Sequence, residues 1–109
     1  MLKLSKPIKI RKNGEEKDTT EIEIKSEDFT AKILLEAERE FLINGGVFAK
    51  GEMESSRAYQ GYIAAKILEC RMDDLEALPA TDFLKITNVV KGFFDGLELE
   101  NLTQILLGK

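Results

Sequence analysis

Residues 8–25 read IKIRKNGEEKDTTEIEIK, and this stretch decides the fold because two alternating segments flank a turn signal. Apolar and charged residues alternate in Ile8–Arg11 and again in Glu21–Lys25, which is the period of a half-buried strand. Asn13-Gly14 favours a turn, although the whole connection, KNGEEKDTT, is longer than a tight hairpin loop. The stretch predicts a two-stranded antiparallel β-hairpin over residues 4–26.

The charges of this hairpin are expected to neutralise one another. The first 12 residues contain five bases and no acid, whereas residues 13–54 contain twelve acids and five bases. Alternation places Lys9 and Arg11 on the outer face, where Glu21 and Glu23 of the second strand can pair with them. Because an isolated hairpin is marginal in water, its isoleucine face must pack on helices or on another copy's strands.

The segment after the hairpin predicts one amphipathic helix over about residues 27–43. Apolar residues recur there at four-residue spacing, Ser26 is suited to cap the helix, and Gly45-Gly46 is suited to end it. Residues 44–56 carry three glycines without sustained periodicity, so we expect a flexible loop there.

A second helix is predicted over about residues 56–71, and Cys70 is expected to pack on its apolar face as a small hydrophobe. A short helical turn should follow, because Asp73 and Glu76 have the spacing of a capping box. Leu75 and Leu78 would attach this turn to the core.

The third main helix is expected to begin at Pro79, whose missing N–H is not needed there, and to end at the Asp-Gly pair of residues 95–96. Its apolar face includes Phe83 and Val90, whereas Asp82 belongs to the opposite, polar side. The predicted class is therefore α+β, a β-hairpin followed by three main helices and a short C-terminal helical tail.

Residues 97–109 form this tail, and its leucines have few places left to be buried. Leu99, Leu102 and Leu106 fall at i, i+3 and i+7, which predicts a short helix with one apolar face. Such a face is covered either by the core or by another protein. The candidate partner-binding residues are Phe93, Phe94, Leu99, Leu102, Ile105 and Leu106.

The composition fits one globular domain over residues 1–109 without a conventional catalytic or metal-binding set. Histidine is absent and Cys70 is the single cysteine, which excludes Cys-His catalysis, the usual zinc sites and an internal disulfide. No phosphate-cradling or dinucleotide-binding motif occurs. No apolar run suits a membrane span or signal peptide, so we expect a cytoplasmic non-enzyme without a cofactor.

Two parts of the chain, residues 4–28 and 62–95, resemble the tail assembly chaperones of long-tailed phages. LSKPI at residues 4–8 resembles the short basic Leu-x-x-Pro-Ile strand of that family, which precedes a glycine turn, a second strand and an acidic helix start. The family's C-terminal pattern is an aliphatic helix, a Leu-rich turn, Asp-Phe and a helix ending in Phe. It is similar here to Ile63–Leu68, Leu75 with Leu78, Asp82-Phe83 and Val89–Phe94.

This resemblance implies a non-enzymatic helper that works in the bacterial host cytoplasm and is absent from the mature virion. It implies that the chain binds the tape measure protein, keeps it soluble and helps to recruit the tail tube protein. Many members of the family are also made in a second, frameshifted form with a C-terminal extension. The resemblance supplies no catalytic, cofactor or metal residue.

Two other interpretations stay open. A small regulatory or adaptor protein would form a homo-oligomer through the C-terminal leucines. A nucleic-acid-binding regulator would instead need a broad basic face, and we favour internal pairing of the bases over that role. The bases concerned are Lys3, Lys6, Lys9, Arg11 and Lys12.

Overall fold

The computed structural model describes the backbone of residues 2–47 and 56–106, and side chains in these ranges as far as Leu97. The chain forms β1 (Leu2–Lys12), β2 (Glu15–Ile22), α1 (Ala31–Ile43), α2 (Arg57–Leu68), α3 (Met72–Glu76) and α4 (Ala80–Leu106). The predicted α+β class is confirmed, since a two-stranded antiparallel hairpin precedes three long helices and one short one. The interior of the predicted loop, residues 48–55, lies outside the described residues.

The hairpin turns tightly at Asn13-Gly14. Both residues have positive φ, 54° and 78°, which is the conformation that favours Asn-Gly in a two-residue turn. Lys12 therefore pairs with Glu15 directly after the turn. The predicted long connection is wrong, because most of KNGEEKDTT belongs to β2. These polar residues leave both faces of β2 largely exposed, so the strand lacks the alternation that would have identified it.

The short turn also changes which acids lie opposite the bases. Arg11 is paired with Glu16 across the ladder, and Arg11 Nε lies 3.2 Å from a carboxylate oxygen of Glu16. Lys9 Nζ lies 3.8 Å from the other oxygen of the same carboxylate. Cross-strand charge pairing is therefore confirmed, whereas Glu21 and Glu23 as the partners of these two bases are wrong.

The core lies between one face of the hairpin and the four helices. Ile8 and Ile22 of the hairpin are buried in the same cluster as the helical side chains, so the isoleucine face packs on helices as predicted. Leu75 and Leu78 are buried and attach α3, as predicted. Cys70 is half-buried against the cluster as expected, but α2 ends at Leu68 and not at residue 71, so Cys70 lies after the helix and not on its apolar face. The fully buried apolar side chains are Ala37, Ile63, Ala64, Leu75, Ile86 and Val90.

α1 begins at Ala31 and not at residue 27, because Thr30 is its cap. The Thr30 hydroxyl accepts a hydrogen bond from the N–H of Ile33 at 3.2 Å. Ser26, the predicted cap, instead opens a 3-10 turn at Ser26–Asp28. The predicted helix start is therefore wrong by one turn.

Asp74 closes the N-terminus of α3, and the predicted capping pair is wrong. The carboxylate of Asp74 accepts a hydrogen bond from the N–H of Arg71 at 3.0 Å, as a residue at the third helical position can. Asp73 stands in the first turn without capping it, and Glu76 is the last residue of the helix. An acid closes the helix start as expected, but the helix begins at Met72, two residues earlier than the predicted capping pair requires.

α4 is one continuous helix from Ala80 to Leu106, so the predicted end at residues 95–96 is wrong. A glycine ends a helix by adopting positive φ, and Gly96 does not do so. Glycine inside a helix costs only about 1 kcal/mol relative to alanine, which a long helix tolerates. The segment expected to be a separate tail is therefore the last part of α4 as far as Leu106.

Candidate interaction surface

Phe93 and Phe94, two of the predicted partner-binding residues, make contacts within the chain. Phe93 stacks on Phe29 with ring centroids 3.9 Å apart and planes inclined by 3°. Phe94 packs against the core and meets Phe93 edge-on, with centroids 5.6 Å apart. Both rings are half-buried, so only part of each is available to another molecule.

Beyond Phe94, the described side chains of α4 no longer pack on the core. Asp95, Gly96 and Leu97 are exposed, with Leu97 at 43%. The backbone continues as a helix through residues 95–106, which adds about 18 Å of length. We call this part the α4 extension. It carries the backbone of the other four predicted partner-binding residues, whose side chains lie outside the described residues: Leu99, Leu102, Ile105 and Leu106.

A second apolar surface, which the sequence analysis did not predict, follows the outer side of α1. Leu35 is 61% exposed and Leu42 is 49% exposed. These leucines are seven residues apart and therefore lie on the same face of the helix. The opposite face is buried through Ala37 and Phe41. The signal was present in the sequence as a leucine pair two turns apart that lies off the main apolar stripe.

Asp82, predicted to belong to the polar side of its helix, is fully buried against β1. Its carboxylate accepts hydrogen bonds from the N–H of Ser5 at 3.0 Å, the N–H of Lys6 at 3.1 Å and the Ser5 hydroxyl at 2.9 Å. The hydrogen bond from the Ser5 N–H contributes most to lowering the pKa of Asp82, and it outweighs the opposing effect of burial. The Asp82 side chain is therefore held as an anion by fixed donors.

A bulge in β1 supplies these donors. Regular pairing with β2 is interrupted between Lys3 and Ile8, so residues 4–7 depart from the ladder. Two backbone N–H groups in the bulge turn to Asp82 instead of to β2, and Pro7 has no N–H to satisfy. Because every donor to this carboxylate comes from the chain itself, we assign Asp82 a structural role that ties the hairpin to α4.

The N-terminal bases are partly used inside the chain. Arg11 Nη1 lies 3.2 Å from a carboxylate oxygen of Asp74, in addition to its contact with Glu16. The backbone N–H of Arg11 donates to the carbonyl of Glu69 at 2.9 Å. Burial acts to raise the pKa of Asp74, but hydrogen bonds from Arg71 and Arg11 lower it overall. Arg11 thus links the hairpin to α3 rather than projecting freely.

A cleft of about 550 Å³ lies between α1, α2 and α3. Lys66 Nζ binds the carboxylate of Glu40 at 2.9 Å across it. Burial raises the pKa of Cys70, which lines the cleft, to about 12, so this thiol stays protonated at neutral pH and is a poor nucleophile. The charged lining has both signs and no convergent set of one sign: Glu40, Lys66, Arg71, Asp73 and Glu76.

Three further observations bear on what the chain can do. Within residues 2–47 and the described part of 56–106, no three Cys, Asp or Glu side chains are grouped so that they could hold a metal ion. None of the helices in that part of the chain combines the length and apolarity needed to cross a membrane. Comparison of the sequence and fold with protein-family models, curated proteins and solved structures finds no match.

Proposed function

We propose that the chain is a non-enzymatic phage tail assembly chaperone. In this proposal it binds the tape measure protein in the bacterial host cytoplasm, keeps it soluble, helps to recruit the tail tube protein and leaves before the virion is complete. The resemblance of residues 4–28 and 62–95 to that family is the starting point. The structural observation that supports it most is the α4 extension, whose backbone stays helical as far as Leu106 and whose described side chains, residues 95–97, are exposed.

A helix of this kind suits the covering of another helix. With the backbone helical through residues 99–106, the spacing of Leu99, Leu102 and Leu106 places these positions on one face. Apolar positions at i, i+3 and i+7 are the pattern by which amphipathic helices contact a helical partner. The net charge of −4 helps to keep a complex with an apolar client in solution.

Ion pairs within the chain argue against the nucleic-acid interpretation. Lys9 and Arg11, two of the bases it requires, lie within ion-pair distance of acids of the same chain. An adaptor protein would use the same apolar surfaces as a chaperone, so gene neighbourhood separates these two functions. A very long, coiled-coil-rich reading frame immediately downstream, among tail genes, supports the chaperone.

Co-expression with the tape measure protein of the same gene cluster tests the proposal. We expect the chain to move this protein from the insoluble to the soluble fraction and to co-purify with it. Leu102→Asp and Leu106→Asp should remove the effect while the unfolding midpoint of the chain stays the same. Leu84→Asp is the matched control, because Leu84 is an exposed leucine on the first half of the same helix.

Two results would contradict the proposal or its site. A tape measure protein that stays insoluble beside the intact chain shows that the chain is not its chaperone. A large loss of stability in Leu102→Asp or Leu106→Asp shows that these leucines are part of the core and are not a binding face.

A further inference from the structure

The outer side of α1 carries a pattern that is symmetric about its centre. Residues 35–42 read LEAEREFL, with a leucine at each end and a Glu-Arg pair in the middle. At 100° per residue, four of these positions fall within a stripe about 100° wide on the face opposite the core. We call them the α1 stripe: Leu35, Glu38, Arg39 and Leu42.

The α1 stripe has no cover among the described residues. Both of its leucines are exposed, Arg39 is exposed and Glu38 is half-exposed. Neither of its two charges has an ion-pair partner within the described part of the chain. The next acid along the helix does: Glu40 is bound by Lys66 at 2.9 Å. The stripe thus combines exposed apolar ends with an unmatched pair of opposite charges.

We propose that the α1 stripe packs antiparallel against the α1 stripe of a second copy of this chain. The two-fold axis passes between positions 38 and 39, so Leu35 of each copy faces Leu42 of the other and Glu38 faces Arg39. A two-fold contact requires one surface to be complementary to itself. The stripe meets this requirement at every symmetry-related position, with leucine against leucine and acid against base.

The same sequence disfavours the parallel arrangement. Two parallel copies in register would place Arg39 beside Arg39 and Glu38 beside Glu38, which is repulsive at both positions. A client chosen only for its apolar surface would use the leucines but would leave the charged pair unmatched. Self-complementarity of charge therefore identifies a second copy as the occupant.

The size of the stripe sets the strength of the association. α1 has 13 residues and is about 20 Å long, and Ile43 and Val47, at 74% and 84% exposure, continue the apolar surface at its C-terminal end. Such a contact is smaller than the roughly 800 Å² per partner of a typical stable complex. The dimer is therefore reversible and depends on protein concentration. This inference is independent of the proposed function, since it does not involve the α4 extension.

Charge reversal tests the pairing directly. Arg39→Glu places acids together at the two-fold axis and Glu38→Arg places bases together, whereas the double variant restores opposite charges. In sedimentation experiments over a range of concentrations at low salt, we expect the intact chain to dimerise reversibly. Each single reversal should weaken the dimer by about tenfold, because two ion pairs become repulsive contacts. The double reversal should restore the dimer affinity of the original chain.

Two controls separate the contact from the fold. Glu76→Arg makes the same substitution as Glu38→Arg at an exposed position of α3, and it should leave the dimer unchanged. Leu35→Asp should abolish dimerisation. Since Leu35 is exposed, the urea midpoint of the dilute, monomeric protein should not change in that variant.

Several outcomes would overturn the inference. One is a chain that stays monomeric at every accessible concentration, and another is a dimer that survives both single reversals or is not restored by the double reversal. A dimer that is lost in Leu102→Asp or Leu106→Asp but kept in the α1 variants would place the contact on the α4 extension. A monomer whose co-purification with the tape measure protein is lost in Leu35→Asp would make the stripe a client surface.

Discussion

Helices α1 and α2 are similar in length but differ in how much of their surface is covered. α1 has 13 residues and buries Ala37 and Phe41, whereas α2 has 12 residues and is buried almost all round. A helix in contact with neighbours on every side forms the centre of a small core, whereas a helix buried on one face lies at the edge of that core. The buried residues of α2 are Tyr59, Gln60, Gly61, Ile63, Ala64, Ala65 and Leu68.

The largest expected effect comes from a truncation at the centre of α2. Ile63 is fully buried, so Ile63→Ala should lower the free energy of unfolding by about 4 kcal/mol, measured by urea denaturation. Leu35→Ala on α1 is the control and should change it by less than about 0.5 kcal/mol in dilute, monomeric protein. Equal losses in the two variants would show that the two helices are buried to the same degree.

Phe83→Ala tests the contact between α2 and α4. Phe83 is half-buried, packs against the core and approaches Gly61 of α2, so the expected loss is about 3 kcal/mol in the same measurement. An unchanged unfolding midpoint would show that the Phe83 side chain is exposed and that other side chains hold α4 to α2.

Asp82→Asn tests whether the carboxylate of Asp82 helps to hold the hairpin on the core. We expect a loss of stability smaller than that of Ile63→Ala, because asparagine keeps the shape and one acceptor oxygen but places an NH2 group beside the N–H donors of Ser5 and Lys6.

The pH dependence of this loss has a definite sign. The pKa of folded Asp82 lies below the unfolded value of about 3.9, so its contribution to stability is complete above about pH 4 and is lost as pH falls through the folded-state pKa. Urea midpoints of the two proteins should therefore converge below about pH 4. Asp74, whose pKa is also lowered, is present in both proteins and cancels in the difference. Parallel curves would contradict a lowered pKa at Asp82.

The smallest expected effects come from two glycines. A Cβ at Gly61 would lie 2.8 Å from Met72 Cε and 3.2 Å from the ring of Phe83, so Gly61→Ala should cost about 1 kcal/mol after the gain in helix propensity. Gly92 of α4 has nothing within 4 Å of the added Cβ, and Gly92→Ala should stabilise the chain by about 0.5 to 1 kcal/mol. If both alanine variants stabilised the chain, α2 would not be closely packed at Gly61.

Much of the fold could be predicted from local patterns. Alternation correctly identified residues 8–11 as strand, but it placed the second strand at residues 21–25, whereas β2 runs from Glu15 to Ile22. Helical apolar spacing identified α1 and the first half of α4. Burial on one side produces both patterns, so they fail where a segment has no buried side. β2 between residues 15 and 20 is such a segment, and its polar residues were therefore interpreted as a loop.

The contacts that escaped prediction are those between distant parts of the sequence. Nothing near Asp82 indicates that its donors stand 77 residues away in a bulge of β1. The continuation of α4 past Gly96 was missed because an Asp-Gly pair favours a helix end locally, although the helix beyond it continues. Of the candidate partner-binding residues, Phe93 and Phe94 were correctly placed on α4, but their contacts with Phe29 and the core could not be derived from spacing.

The bond between Ser5 and Asp82 has a consequence for biosynthesis. The two residues are 77 positions apart, and a ribosome adds about 5 to 20 residues per second. The first strand therefore emerges about 4 to 15 seconds before the carboxylate that completes its bulge has been translated. α1, α2 and α3 are made one after another during that interval, but the nascent hairpin still lacks its carboxylate anchor and α4, so the final fold cannot form until α4 is being translated.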